Sequence, residues 1–259
     1  MTHYKQALVF AAGLGTRLRP LTETIPKPLL AIDAHGTNCL GLVLEYLHAE
    51  NFDRIIVNAF YLPDAIQHFV HTHYPNVIVS VETEPLETGG GFIHALPYIN
   101  EAEPILVING DTYLDDMSFN AALLTHFSTK TCDIMLGVAP KEKGIAFKGA
   151  GDYDFVTING EHLSDKQFVN LPLNYRPNSI SAPYTFIGSR ITTAQYMREC
   201  AQLFGKHFSF KKCFDHAEAS NRLYGCLYTT NWCDLSTVHT LEALRKYNEI
   251  QEVTTCYKT

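Results

Sequence analysis

Through the first half of the chain, short and nearly unbroken apolar runs alternate with stretches whose apolar residues recur at helical spacing. The runs at residues 6–12, 54–58, 77–82, 105–109 and 133–138 have the length of strands. Continuous rather than every-other-residue apolar character is what a strand covered on both faces shows. Between them, residues 40–50, 62–73, 91–96 and 120–128 read as helices. The alternation predicts an α/β fold, a Rossmann-like, mostly parallel mixed sheet sandwiched by helices. Ligands of such sheets sit beyond the carboxyl ends of the strands, and Gly13, Asn109 and Asp111 all fall at such ends.

Between residues 140 and 183 this rhythm is lost, and Gly, Asp, Asn and Pro become frequent. That stretch reads either as a loose insertion or as loops and short strands folded over a ligand. Beyond it, residues 184–188 and 223–228 read as strands and residues 192–204 and 237–251 as helices. The last helix carries Leu241 and Leu244 on one face, with Tyr247 and Ile250 extending it. No internal repeat or low-complexity tract interrupts the chain, so the expectation is one domain over residues 1–259.

Size and charge narrow the function. A chain of 259 residues with 46% apolar content can bury one substantial core. A net charge of −7 gives no basic footprint for nucleic acid, although a local cation cluster can still hold an anion. No apolar run approaches the length of a membrane span, and the first residues lack the charged-then-apolar pattern of a signal peptide. The expected location is therefore the cytoplasm, without membrane attachment. Seven scattered cysteines without paired spacing read as reduced thiols rather than a disulfide or zinc framework. His68, His71 and His73 read as the solvated end of a helix rather than metal ligands.

The densest chemistry lies at the end of the first strand. Ala7-Leu8-Val9-Phe10-Ala11-Ala12 runs into Gly13-Leu14-Gly15-Thr16-Arg17-Leu18-Arg19-Pro20, and Pro26-Lys27-Pro28 follows. Gly13 and Gly15 let backbone N–H groups approach an anion, while Arg17 and Lys27 bring charge to the same phosphates. Leu18 stands where the dinucleotide fingerprint needs a small residue, and no Gly-Lys-Ser/Thr run supplies a P-loop. A glycine pair alone is also a tight turn; the cations and prolines beside it favour a phosphate site. Asp111 follows the buried-looking strand Ile105 to Asn109 and suits a hard cation. A lone Asp at a strand end is equally a cap or turn residue. Asp115 and Asp116 read as loop residues and rank below Asp234, which follows Trp232 in a second strand-like segment.

These segments resemble the sugar-1-phosphate nucleotidyltransferases. The resemblance covers residues 11–29, Glu84-Pro85-Leu86-Glu87-Thr88-Gly89-Gly90-Gly91, Asn109-Gly110-Asp111 and Trp232-Cys233-Asp234. Glu87-Thr88 before three glycines, Gly149-Ala150-Gly151-Asp152-Tyr153 and Tyr184-Thr185-Phe186-Ile187-Gly188 are most similar to the N-acetylmuramate-1-phosphate uridylyltransferase branch, which serves cell-wall sugar recycling. The resemblance implies a nucleotide-binding part over about residues 1–139 and a sugar-binding part over about 140–259. It places Ala12, Gly13, Gly15, Arg17, Lys27, Thr88 and Gly89 at the nucleoside triphosphate and Asn109, Gly151 and Thr185 at the sugar-1-phosphate. It makes Arg17, Lys27 and Asp111 catalytic, with Asp111 and Asp234 holding Mg²⁺. Arg19 reads as structural.

Two departures bear on the substrate. The family continues its late aspartate as Asp-x-Gly-Thr, whereas this chain reads Asp234-Leu235-Ser236-Thr237. The family's Glu-Lys-Pro segment also lacks a counterpart, with Lys148 the nearest stand-in. Guanylyl transfer to mannose- or heptose-1-phosphate, cytidylyl transfer to phosphocholine, and a sensor that binds without turnover therefore remain as alternatives.

Overall fold

The structure, a computed structural model, describes residues 4–156, 171–175 and 182–256. Its first half follows the strand–helix alternation: β1 Gln6–Phe10, α1 Cys39–Ala49, β2 Arg54–Ala59, α2 Pro63–His73, β3 Ile78–Val81, α3 Glu87–Ala95, β4 Ile105–Asn109, β5 Thr112–Leu114, α4 Phe119–His126 and β6 Ile134–Pro140. The second half supplies β7 Tyr153–Phe155, β8 Leu171–Tyr175, β9 Tyr184–Thr192, α5 Ala194–Phe204, α6 Phe210–Ala219, β10 Leu223–Leu227, β11 Trp232–Asp234 and α7 Val238–Cys256.

Nine strands form one mixed sheet in the order β3-β2-β1-β4-β9-β6-β10-β8-β7. The block β3-β2-β1-β4 is parallel, as is the β6–β10 pair. β9 runs antiparallel between β4 and β6, so a strand from the second half of the sequence joins the two blocks. Successive β1 residues feed opposite layers. Ala7 and Val9 pack with α1, α2 and α4, while Leu8 and Phe10 pack with α3, α5 and α6. This double coverage is why β1 is buried at every position and reads as an apolar run from Ala7 onward, the buried Gln6 amide being satisfied by the Asn100 carbonyl and N–H.

Several boundaries differ from the sequence reading. β9 continues to Thr192, and α5 begins at Ala194 with the Thr193 hydroxyl accepting the Tyr196 N–H, so residues 192–193 are not helical. α3 begins at Glu87, so Thr88 to Gly91 lie inside the helix. The sequence reading also missed α6, although Phe210, Cys213, Phe214 and Ala217 sit at helical spacing and are buried. Of the irregular middle, β7 and β8 extend the sheet edge; the rest of that stretch lies partly outside the described residues.

A second, two-stranded sheet pairs β5 with β11 antiparallel, with Thr112 opposite Asp234. This pairing matters most for the chemistry, because it sets Asp111 and Asp234 side by side. The Leu235 N–H donating to the Asp111 carbonyl at 3.1 Å closes the same corner. A third apolar cluster under it joins Leu30 and Ile32 to Cys233, Leu241 and Leu244, anchoring α7 beneath the Lys27 loop.

Candidate active site

β1 ends in the glycine loop, held at its root by the Ala11 N–H, which donates to Asn58 Oδ1 at 2.9 Å. Ala12 and Gly13 follow, and Gly13 is exposed. Gly15 adopts φ +61°, a left-handed conformation that favours glycine, and its carbonyl accepts from Thr22 Oγ1 at 2.8 Å. The turn Thr16–Leu18 then buries Leu18 and leaves Arg17 exposed.

Lys27 opens a second turn, Lys27–Leu29. Its Nζ lies 2.5 Å from Asp111 Oδ2 and 3.7 Å from Asp234 Oδ1. Burial works against the ammonium charge, but the two carboxylates outweigh it and hold the Lys27 pKa above its ordinary value. Asp234 is driven up by desolvation in the cleft and by the negative charge on Asp111. Two carboxylates thus converge on one cation. Mg²⁺ characteristically takes one or two protein carboxylates and completes its shell with water and phosphate oxygens, so Asp111 and Asp234 fit such an ion. Among the described residues no group of three or more His, Cys, Asp or Glu side chains gathers around a metal position.

Asp234 also lines a cavity of about 360 Å³ together with Asn109, Thr112, Gly151, Thr185 and Trp232. The fold therefore gathers the three sugar-side candidates beside the paired carboxylates. Gly151 has φ +85°, and a Cβ there would stand 2.3 Å from the Ala182 carbonyl oxygen. Thr185 donates to Asp152 Oδ2 at 2.5 Å, and the Phe186 N–H reaches the same oxygen at 3.1 Å. Asp152, Thr112 and Phe147 also line the cavity, and no motif in the sequence marks Thr112 or Phe147 as site residues. Lys148 is exposed and is not part of that lining.

Thr88 and Gly89 have a different local setting. The Gly89 and Gly90 N–H groups both donate to the Phe208 carbonyl, at 2.8 and 3.2 Å, and Thr88 Oγ1 accepts the Phe210 N–H at 2.8 Å. The backbone donor of Gly89 is thus engaged inside the chain. Asp115 accepts from Tyr247 at 2.7 Å and Asn231 at 3.0 Å, and Asp116 accepts the Ser118 N–H at 2.9 Å. Both brace loops rather than face the Lys27 centre.

A glycine turn with flanking cations thus stands opposite two carboxylates and a polar cavity, an arrangement with the charge and the donors to hold phosphate esters. The chain belongs to the nucleotidyl transferase family, whose profile matches residues 6–249. It is 32% identical over 164 residues to the N-acetylmuramate α-1-phosphate uridylyltransferase of Caulobacter vibrioides, covering 60% of this chain and 66% of that protein. The enzyme of the same name from Neisseria meningitidis serogroup B is 40% identical over 124 residues, 46% of this chain and 52% of that one. The matched regions span between half and two thirds of those relatives. Other relatives bear the name D-glycero-α-D-manno-heptose 1-phosphate guanylyltransferase. In three dimensions the chain resembles a UDP-glucose pyrophosphorylase solved with UDP-glucose, with a TM-score of 0.72 at 17% identity over 95% of this chain and 99% of that one. That likeness establishes the nucleotide-diphospho-sugar transferase fold. No helix among the described residues is long and apolar enough to cross a membrane.

Proposed function

We propose that this chain is a Mg²⁺-dependent sugar-1-phosphate nucleotidyltransferase that joins UTP to N-acetylmuramate-1-phosphate and releases pyrophosphate. The observation that carries the class is Lys27 Nζ set between Asp111 and Asp234, beside both the glycine loop and the polar cavity. The preference for UTP and the muramate ester rests on the names of the two relatives. A role in cell-wall sugar recycling follows from the same preference.

The nucleophile is a phosphate monoester whose second pKa is about 6, so it is largely ionised at neutral pH and needs no general base. The protein's task is positioning and charge neutralisation. The N–H groups around Gly13 and Gly15, with Arg17, receive the triphosphate. Lys27 stabilises the negative charge that develops as pyrophosphate leaves. Asn109, Gly151 and Thr185 orient the sugar in the cavity. Asp111 and Asp234 would hold Mg²⁺, which supplies charge neutralisation at the phosphates when bound.

The test is pyrophosphate release with Mg²⁺ from UTP, GTP, CTP and ATP, each against N-acetylmuramate-1-phosphate, glucose-1-phosphate, mannose-1-phosphate and phosphocholine. Release confined to UTP with the muramate ester is the expected result. Release with another pair keeps the class and replaces the substrates; triphosphate binding without release from any pair overturns catalysis in favour of a sensor.

A further inference from the structure

Arg190, on β9, is only 1% exposed and directly behind the proposed sugar cavity. Its Nη1 donates to Asn109 Oδ1 at 2.9 Å and to the Gly188 carbonyl at 3.3 Å. Its Nε and Nη2 meet no acceptor among the described residues. Aromatic rings surround the guanidinium instead, with centroids 4.4 Å away at Phe210, 4.8 Å at Phe10 and 5.6 Å at Phe186. Burial draws its pKa down to about 9, so it remains protonated at neutral pH. Among the described residues its hydrogen-bond partners are the Asn109 amide and the Gly188 carbonyl rather than a carboxylate, and a buried cation so placed is expensive.

Its surroundings link three parts of the site. Phe10 ends β1 immediately before the glycine loop. Phe210 opens α6 with its N–H on Thr88. Asn109 ends β4 and lines the cavity. Among the described residues, Asn109 is the side chain that both accepts from Arg190 and lines the cavity. Arginine carries donors and no acceptor, so it tolerates only the oxygen of the Asn109 amide. Reversing that amide would set two donors face to face. With Oδ1 held inward, Nδ2 is left to address the cavity.

We propose that Arg190 is a positioning residue that locks the Asn109 amide with its NH₂ group toward the sugar, so that the pocket requires a hydrogen-bond acceptor there. A sugar hydroxyl or N-acyl oxygen satisfies that requirement; a group that only donates does not. This inference rests on the cavity being the sugar site.

The experiment compares wild type with Arg190→Met, Arg190→Lys and Asn109→Asp, measuring KM for N-acetylmuramate-1-phosphate and for UTP separately, together with the Kd of the sugar phosphate by calorimetry. Arg190→Met should raise KM and Kd for the sugar phosphate about 10-fold, the worth of one well-placed hydrogen bond, and leave the UTP KM within about 2-fold. Arg190→Lys, which keeps a donor, should recover part of the loss. Asn109→Asp keeps an acceptor for Arg190 and removes the NH₂, so it should stay folded and weaken sugar-phosphate binding as much as Arg190→Met does. It therefore decides the matter if Arg190→Met fails to fold. The double variant Arg190→Met with Asn109→Asp should lose no more than either alone, because both act on one hydrogen bond.

Unchanged sugar-phosphate binding in folded Arg190→Met or in Asn109→Asp would overturn the proposal. So would an equal rise in both KM values, the mark of a purely structural role. Wild-type protein that binds the sugar phosphate without turnover fails the enzymatic reading alone, since the Kd comparison still judges Arg190. Protein that binds none of the four phosphate acceptors overturns both.

Discussion

Gly13→Ala separates a glycine kept for a ligand from one kept for the fold. Among the described residues a Cβ built on Gly13 meets nothing within 4 Å, and the residue needs no left-handed φ. Nothing among them therefore demands glycine there. Gly90 is the opposite case, because its Cβ would stand 2.2 Å from the backbone carbonyl oxygen of Lys206. Alanine at an unstrained former glycine restricts the unfolded chain and stabilises by roughly 0.4–1 kcal/mol. For a chain of this size, about 1 kcal/mol moves Tm by about 2–4 °C. Gly13→Ala should therefore melt at the wild-type temperature or up to about 4 °C above it. In Gly90→Ala the helix-propensity gain of about 1 kcal/mol opposes an overpacking cost of about 1–3 kcal/mol. The clash is with backbone, which cannot rotate aside, so the cost wins and Tm falls by several degrees. Activity should respond to Gly13 as stability does not. A methyl group between the loop N–H groups and a phosphate oxygen displaces the triphosphate by about 1 Å, a misplacement worth on the order of 100-fold in rate. Differential scanning fluorimetry reads the first effect, and pyrophosphate release over a UTP titration at saturating sugar phosphate reads the second. Wild-type kcat/KM in folded Gly13→Ala would refute the phosphate-loop reasoning; a large drop in its Tm would refute the claim that the fold does not use this glycine.

Four further predictions follow from the same geometry. Asp111→Asn should cut pyrophosphate release by at least about 100-fold while circular dichroism stays native; retained turnover removes Asp111 from the metal site. Lys27→Met leaves Asp111 and Asp234 to repel each other across the vacated cation and removes charge from the leaving group, so kcat should fall about 100- to 1,000-fold, with the UTP KM changing less than kcat. Burial raises the Glu82 pKa against the opposing hydrogen bonds from Leu86 and Asn58, so the native state holds this proton more tightly than the unfolded chain. The Glu82 contribution is therefore most favourable below the unfolded value of 4.5 and declines as pH rises through the folded pKa; the Tm of wild type minus that of Glu82→Gln should fall over that window, and a flat or rising difference counts against it. Arg245 donates from Nε and Nη2 to the Ala31 carbonyl at 2.9 and 2.7 Å, tying α7 to the loop behind Lys27; Arg245→Ala should cost about 1.5–3 kcal/mol, read as a Tm loss of several degrees, and an unchanged Tm denies that tie.

What the sequence shows and what it hides divide along a physical line. β1 and β4 are legible because strands buried on both faces are mostly apolar between Gln6 at the start of one and Asn109 at the end of the other, so their runs stand out. The glycine loop was legible because its chemistry is contiguous. The helix through Thr88 to Gly91 was misplaced because three glycines argue against helix at about 1 kcal/mol each. Packing overrides that propensity: Cβ atoms at Gly89 and Gly91 would stand 2.3 Å from the Phe208 ring and 2.6 Å from Glu82 Oε1. Spacing alone offers Asp111 and Asp234 singly, and only the family resemblance pairs them; their juxtaposition comes from the register of two three-residue strands, and strands so short leave no periodic trace. Arg190 shows the limit most clearly. In the sequence Arg190 falls beyond the strand read at residues 184–188 and belongs to no motif, and it is the convergence of Phe10, Phe186 and Phe210 from three elements that encloses it. Contiguous spacing thus exposes the groups proposed to meet phosphate, whereas those proposed to orient the sugar are brought together by register and layer packing. If the cavity is the sugar site, as proposed, its selectivity is a property of β9 against β4, and substitutions at that seam, more than in the glycine loop, are the ones expected to change which sugar phosphate is accepted.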